Sequence, residues 1–112
     1  MTSVCFTRDA DDLISSVEIS GHAGYADEGE DIVCAAITSA IQLAHILLED
    51  IHDLVIDTIV EQEGAYIRVS LPDDAREAGQ DVMQALHMHY LEMQESYAEF
   101  IEVTEVYNHA ED

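Results

Sequence analysis

The sequence has very few basic residues. Lys and Arg together number 3, against 25 Asp and Glu, so the formal net charge is -22. A field of this sign repels a phosphate backbone, and we therefore exclude direct binding of nucleic acid. The field attracts cationic partners instead, such as a peptide rich in lysine or arginine. An acidic surface also promotes solubility, so the charge alone does not decide between these roles.

Cysteine is scarce, and long hydrophobic runs are absent. No stretch approaches about 18 consecutive apolar residues, and the first residues lack the basic and apolar regions of a signal peptide. We therefore expect a cytoplasmic protein with no membrane partner. Only Cys5 and Cys34 are present, and reducing conditions in the cytoplasm argue against a disulfide. Because there is no internal repeat or linker, we predict a single domain over residues 1–112.

Apolar residues make up 48% of the chain and recur with two periods. Helical spacing predicts a helix from Ile32 to about His52, with Asp31 as its N-cap, and a second helix from Pro72 to near Phe100. The order β-β-α-β-β-α-β predicts an α+β fold, a two-layer sandwich of a mixed sheet and two helices, with the last strand at an edge. Alternating residues predict strands at 2–7, 13–20, 54–62, 65–71 and 100–107. In the second helix we expect a buried face of Val82, Ala85, Leu86, Met93 and Tyr97.

Cys34 lies where the first predicted helix begins. With Asp31 as N-cap, its thiol falls in the first turn, where free N–H groups and the helix dipole favour an anion. His22 follows the second strand, just before the loop that leads into this helix, so the two side chains are able to meet. An imidazolium beside a thiolate activates the sulfur and supplies a proton to a leaving amine, as in cysteine proteases. Glycines with positive φ angles would direct backbone N–H groups at a substrate carbonyl, and the candidates are Gly21, Gly24 and Gly29.

A metal site is the competing interpretation, because the chain has 6 histidines. His45 and His52 lie about 16 and about 27 Å from Cys34 along the helix axis, given a rise of about 1.5 Å per residue. His87 and His89 are two positions apart and point to different faces of the second helix. We therefore predict no metal site and no cofactor.

The run GHAGYADEGEDIVCAAIT, residues 21–38, resembles the signature of the Prp family of bacterial ribosomal-processing cysteine proteases. It joins a Gly-His-Ala-Gly-Tyr-Ala run to a Gly-x-Asp-Ile-Val-Cys-Ala-Ala run at the spacing found in that family. The resemblance implies a catalytic dyad of His22 and Cys34, with Asp31 beside it as a third participant. The residues that we expect to contact substrate are Gly21, Gly24, Tyr25, Gly29 and Thr38.

The same resemblance implies a function and two partners. Members of the family are small, dimeric enzymes that remove a short N-terminal extension from ribosomal protein twenty-seven of the large subunit. We therefore expect the precursor of that basic protein as substrate and a second copy of the chain as partner. The loop at residues 26–31 departs from the family because every charge in it is negative. Carboxylates so close disfavour a thiolate and favour an imidazolium.

A function of another class fits part of the same pattern. Free cysteine often packs as a small hydrophobic residue. The chain would then be a non-catalytic acidic module that binds a basic ribosomal protein or assembly factor, with the glycine loop as its binding surface. The two hypotheses differ in the reactivity of Cys34, because only the protease requires an activated thiol.

Overall fold

The computed structural model describes residues 1–21, 28–62 and 65–108, and of residues 28–31 it describes the backbone alone. The elements follow the predicted order β-β-α-β-β-α-β, which confirms the α+β class. The strands are β1 (Thr2–Arg8), β2 (Ile14–Gly21), β3 (Asp57–Glu61), β4 (Tyr66–Ser70) and β5 (Ile101–Tyr107). The helices are α1 (Glu28–Ile46) and α2 (Asp73–Ser96).

The five strands form one mixed sheet in the order β3-β4-β2-β1-β5. The pairs β1–β2, β2–β4 and β3–β4 are antiparallel, whereas β5 runs parallel to β1. A parallel pair needs a long crossover connection, and α2 lies in the connection from β4 to β5. The last strand therefore lies at an edge of the sheet, as predicted.

Alternation along the strands separates an apolar face from a polar one. Val4 and Phe6 on β1 are fully buried, and their partners across β2 are Ile19 and Val17. Side chains from both helices pack against these residues in the hydrophobic core. The opposite face carries polar residues, including Ser3, which is exposed. The described residues thus form two layers, with helices on one face of the sheet.

The helix α1 begins earlier than the sequence predicts. It starts at Glu28, three residues before the predicted N-cap, so Asp31 lies inside the helix and the N-cap prediction is wrong. Acidic sequence is favourable in a first helical turn, and a single glycine costs only about 1 kcal/mol there. Beyond Ile46 the chain continues as a π-helical turn over Leu47–Ile51, which agrees with the predicted end near His52.

The buried side of α1 belongs to the hydrophobic core. By length and composition alone, the segment Ile32–Ile51, with a mean hydropathy of 1.8, is able to cross a membrane. The core helix of a soluble protein passes the same test, and such a segment is weak evidence for a membrane span. The side chains that this segment buries are Val33, Ile37, Ile41, Ala44 and Leu48.

The helix α2 begins after Pro72, as predicted, but ends at Ser96, four residues before Phe100. Within the predicted face, Val82, Leu86 and Met93 are buried. Ala85 is exposed because it lies about 100° around the helix from Leu86. Tyr97 is also exposed, since it caps the helix and has left the helical conformation. The prediction of burial is therefore wrong for Ala85 and Tyr97.

Two buried polar side chains of α2 fix the layers to each other. The β1–β2 ladder shifts register between Thr7 and Arg8. Next to this irregularity, Gln80 Oε1 accepts a hydrogen bond from the Ile14 N–H at 2.9 Å, and Gln80 Nε2 donates to the Ile14 carbonyl at 2.8 Å. The hydroxyl of Tyr90 donates to the carbonyl of Ile37 on α1 at 2.8 Å. These bonds hold α2 against β2 and α1.

Candidate active site

A groove of about 810 Å³ lies between α1 and the β3–β4 hairpin. At one end it is lined by Thr2, Gly21 and Cys34, and at the other by His45 and Thr58. Between these ends the lining is mainly apolar, because the helix-facing residues of β2 and β4 meet the side of α1. The larger aliphatic side chains that line the groove are Ile19, Ile37, Ile41, Ile46, Val60, Ile67 and Val69.

The length of the groove follows from the positions of Cys34 and His45 on α1. They are eleven residues apart, which corresponds to about 16 Å along a helix. His45 Nε2 and Thr58 Oγ1 share a hydrogen bond of 3.0 Å, which joins α1 to β3 at the far end. An extended peptide rises about 3.3 Å per residue. The groove therefore accommodates about five residues of an extended chain.

Cys34 is half-buried and lines one end of the groove. It lies at the border of the apolar stripe of α1, because Val33 is buried whereas Ala35 is exposed. Cys34 is, however, the seventh residue of α1, so it falls in the second turn and the first-turn prediction is wrong. Only the first four N–H groups of a helix lack an intrahelical partner. The Cys34 N–H is thus not among the free N–H groups at the start of the helix.

The sulfur of Cys34 contacts a hydroxyl from the sheet. Thr2 Oγ1 and Cys34 Sγ lie 3.2 Å apart and share a hydrogen bond. Thr2 is buried, with only 4% of its surface exposed. Its own N–H donates to the Phe100 carbonyl at 2.9 Å. Through Thr2, the Cys34 sulfur is therefore linked to β1 and to Phe100, the residue just before β5.

Gly21 lies opposite Thr2 in the β1–β2 ladder. A Cβ atom at Gly21 would lie 2.8 Å from Thr2 Oγ1 and 3.1 Å from Thr2 Cγ2. The φ angle of Gly21 is not in the left-handed region, so the prediction of a positive φ is wrong at this position. Glycine is needed here for space. The Gly21 N–H donates to the carbonyl of Ala65 at 3.2 Å, which places the β3–β4 turn beside this end of the groove.

The structure brings together three of the predicted site residues, since Gly21, Cys34 and Thr38 all line the groove. Thr38 is exposed one turn after Cys34. The predicted residues His22, Gly24 and Tyr25 lie outside the described residues. Gly29 and Asp31 lie in α1, where the structure describes the backbone of Asp31 but not its side chain. The pairing of His22 with Cys34 stays a prediction.

Two parts of the site were missed by sequence reasoning. The hydrogen bond between His45 and Thr58 joins elements whose proximity depends on sheet order, and no local signal predicts it. The sequence does contain an indication of the role of Thr2, because this polar residue continues the inward register of Val4 and Phe6 on β1. A polar residue in the apolar register of a strand requires a partner in the core.

The described part of the groove has few charged groups. Its ionisable lining residues are Cys34, His45, Glu61 and Tyr66. Partial burial and the Glu18 carboxylate raise the pKa of Tyr66 above that of free tyrosine, so its phenol is a neutral hydrogen-bond donor at neutral pH. Among the described residues, no group of three or more His, Cys, Asp or Glu side chains is arranged to hold a metal ion.

Comparison with known proteins identifies relatives along nearly the whole chain. The family model described as cysteine protease Prp matches residues 1–102. The ribosomal processing cysteine protease Prp of Bacillus subtilis (strain 168) is 26% identical over 111 residues, which cover 93% of this chain and 96% of the relative. The crystal structure of SMU.848 from Streptococcus mutans is 26% identical and covers 96% of both chains with a TM-score of 0.86.

A further crystal structure shares the fold. The essential ribosomal processing protease Prp from S. aureus, solved in complex with a substrate peptide, matches with a TM-score of 0.87. It is 20% identical and covers 94% of this chain and 99% of that chain. At this identity the likeness concerns the fold alone.

The two functions predicted from the sequence, a cysteine protease and a non-catalytic acidic module, can now be distinguished. The family model covers most of the chain and describes an enzyme, which favours the protease over a non-catalytic acidic module. Of the two cysteines, Cys34 lines the groove. Cys5 lies on β1 between the inward-facing Val4 and Phe6, and therefore points to the other face of the sheet. The chain belongs to the Prp family of cysteine proteases.

Proposed function

We propose that this chain is a cytoplasmic endopeptidase that removes the short N-terminal extension of large-subunit ribosomal protein twenty-seven, with Cys34 as nucleophile and His22 as its acid–base partner. The observation that carries the proposal is a half-buried cysteine at the end of an apolar groove. The groove suits about five residues of an extended peptide. The name of the B. subtilis relative, a ribosomal processing protease, supports a ribosomal substrate.

The proposed reaction proceeds through a thioester. The Cys34 thiolate attacks the carbonyl carbon of the scissile bond, and the carbonyl oxygen takes the negative charge. When the carbonyl re-forms, the C–N bond breaks and the His22 imidazolium gives its proton to the leaving amine. Water then attacks the thioester while His22 accepts a proton from it. Cleavage of the C–S bond releases the new carboxyl group and restores the thiolate.

The groove and the surface charge support the choice of substrate. The extension removed in this family is apolar and aromatic at the cut and is followed by a lysine-rich segment. An apolar lining between α1 and the β3–β4 hairpin suits the first part, and a net charge of -22 attracts the second. Within the proposal, Asp31 stabilises the His22 imidazolium. Backbone and side-chain contacts to the peptide come from Gly21, Gly24, Tyr25, Gly29 and Thr38.

Cleavage of a synthetic peptide tests the proposal. A peptide that spans the extension is incubated with wild type, Cys34→Ala, His22→Ala and Cys5→Ala, and the products are identified by mass spectrometry. We expect no cleavage by Cys34→Ala, and cleavage at least about a hundredfold slower by His22→Ala, because general acid–base catalysis contributes about that much. Cys5→Ala should cleave at the wild-type rate. Unchanged cleavage by Cys34→Ala would end the proposal.

The reactivity of the two thiols provides a test without any substrate. Both cysteines are free and partly exposed, so exposure alone gives no reason for a large difference in their rates. We expect iodoacetamide to alkylate Cys34 at neutral pH much faster than Cys5, because thiolates react and thiols do not. Equal rates of labelling in a peptide map would argue against an activated Cys34.

A further inference from the structure

The hydroxyl of Thr2 occupies a position that sheet packing normally gives to an apolar side chain. Thr2 is the first residue of β1 and shares its inward register with Val4 and Phe6. It is 4% exposed. A buried hydroxyl without a hydrogen-bond partner is costly. Within the part of the chain that the structure describes, the partner of Thr2 Oγ1 is Cys34 Sγ, at 3.2 Å.

The two ionisation states of Cys34 differ in how well they satisfy this hydroxyl. A neutral thiol is a weak donor and a weak acceptor. A thiolate carries a full charge and only accepts, so Thr2 must then be the donor, and hydrogen bonds to charged groups are the strong ones. The burial of Thr2 against a sulfur atom is therefore best satisfied when that sulfur is an anion.

We propose that Thr2 is a positioning residue, whose hydroxyl donates a hydrogen bond to the Cys34 thiolate, stabilises this anion and aims it along the groove. The inference rests on the proposed role of Cys34 as the nucleophile. It adds a residue that lies outside the motif in which Cys34 and His22 occur. The hydroxyl acts on the attacking atom, so its loss slows the chemical step rather than the binding of peptide.

The backbone around Thr2 holds its side chain in place. The Thr2 N–H donates to the Phe100 carbonyl at 2.9 Å, and Thr2 pairs with Gly21 on one side and Ile101 on the other. Threonine is branched at Cβ and has few rotamers. Because Gly21 leaves room for this side chain, Thr2 Oγ1 keeps a fixed place beside the sulfur.

Three substitutions separate the hydroxyl from the rest of the side chain. Thr2→Val keeps the shape and removes the donor, whereas Thr2→Ser keeps the donor and removes a methyl group. Thr7→Val makes the same change on the same strand, but Thr7 points to the opposite face of the sheet. Alkylation of Cys34 by iodoacetamide at neutral pH is measured by mass spectrometry, and kcat and KM are measured with the extension peptide.

We expect Thr2→Val to lower both the alkylation rate of Cys34 and kcat by at least about tenfold, the size expected for one hydrogen bond to a charged group. KM should stay within about twofold, since only an interaction with the attacking atom is lost. Thr2→Ser should restore most of both rates, and Thr7→Val should match the wild type. If Thr2→Val does not fold, Thr2→Ala replaces it, with a circular dichroism spectrum as the test of folding.

The outcomes separate this inference from the proposed function. Alkylation of Cys34 at the wild-type rate in Thr2→Val overturns the role of Thr2, even where Cys34→Ala abolishes cleavage. An equal loss in Thr2→Val and Thr2→Ser also overturns it, because the hydroxyl is then irrelevant. If the wild type does not cleave the peptide but Thr2→Val slows alkylation, the role of Thr2 stands and the proposed substrate is wrong.

Discussion

At the scale of single residues, Gly21 supports the site because it has no side chain and therefore leaves room for the side chain of Thr2. A side chain there would meet Thr2 Oγ1 at 2.8 Å, and Thr2 is in turn hydrogen-bonded to the Cys34 sulfur. The obstructed atom belongs to a short β-branched side chain, which has little freedom to move aside. A change at Gly21 therefore acts on Cys34 through Thr2.

Gly21→Ala should lower both stability and kcat. We expect a loss of about 1–3 kcal/mol in the free energy of unfolding, as for other overpacked sites, and a fall in kcat because Thr2 shifts away from Cys34. The matched control is Gly79→Ala, whose Cβ would lie 2.9 Å from Leu71 Cδ1, on α2 and away from the groove. Urea denaturation and peptide cleavage measure the two effects. Equal losses of kcat in both variants would contradict this prediction.

The contrast between Cys34 and Thr2 shows what a sequence reveals at this scale. Cys34 was found because it stands in a local motif with His22. Thr2 lies 32 positions earlier, and its contact with Cys34 depends on how α1 packs against β1. Packing of that kind depends on the whole core, and no local spacing of residues in the sequence indicates it. The alternation along β1 did indicate that Thr2 is a buried polar residue, but its partner Cys34 was not predictable.

At the scale of elements, periodicity predicted the strands and helices better than their ends. The apolar stripe of α1 starts near Val33, the first buried residue of this helix among those whose side chains the structure describes. The preceding turn, from Glu28, has no apolar period, so the sequence predicts a loop where the structure has helix. The sheet order β3-β4-β2-β1-β5 depends on pairing between distant strands. The groove between α1 and the β3–β4 hairpin was consequently beyond prediction from local patterns.

Gln80→Leu should separate α2 from the start of β2. The side chain of Gln80 satisfies both backbone groups of Ile14, and a leucine would leave these buried groups unpaired. Each unpaired group costs about 1–3 kcal/mol, so we expect the free energy of unfolding to fall by about 2–6 kcal/mol for the two groups. Gln84→Leu, at an exposed position one turn later, should change it by less than about 0.5 kcal/mol. If urea denaturation gives similar losses of unfolding free energy for Gln80→Leu and Gln84→Leu, the proposed role of Gln80 is contradicted.

His87 makes the contact of α2 with the sheet sensitive to pH. Its ring packs 4.6 Å from the ring of Phe6, and its Nε2 lies 3.6 Å from Glu105 on β5. Burial lowers the pKa of His87 below the usual 6.5, Glu105 opposes that shift, and Arg8 adds to it. The unfolded chain therefore binds this proton more tightly than the folded one, and acid favours unfolding.

The wild type should lose stability through His87 as the pH falls below about 6.5. In His87→Phe this contribution is absent, so the difference in unfolding free energy, variant minus wild type, should increase from neutral to mildly acidic pH. Urea denaturation at both pH values measures it. His89→Phe, at an exposed position of the same helix, controls for the added aromatic ring. A difference for His87→Phe that stays constant with pH would contradict the lowered pKa of this histidine.

At the scale of the whole molecule, every arginine faces a carboxylate. The distances are 2.9 Å for Arg8 to Glu105, 3.7 Å for Arg68 to Glu18, and 2.7 Å for Arg76 to Asp73. The Arg8 and Arg76 side chains are partly buried, whereas the pair of Arg68 with Glu18 is exposed, and an exposed ion pair adds little stability. With so few cations to offset 25 acidic residues, the protein presents a negative field to any approaching peptide.

Salt should slow the cleavage of a basic substrate. Screening shortens the range of electrostatic attraction to about 10 Å at about 0.1 M ionic strength. We expect kcat/KM for a peptide with the lysine-rich segment to fall severalfold between low and high NaCl concentration. The same peptide with glutamine in place of lysine should show little response. If both peptides respond alike, the net charge does not steer the substrate.

The parallel pairing of β1 with β5 has a consequence for biosynthesis. Thr2 is joined in the sheet to Ile101, a residue that the ribosome adds almost a hundred steps later. Contacts so distant in sequence slow folding, because the long loop between them must close before they form. A nascent chain from which β5 has not yet emerged thus carries Cys34 without the strand pairing that holds Thr2.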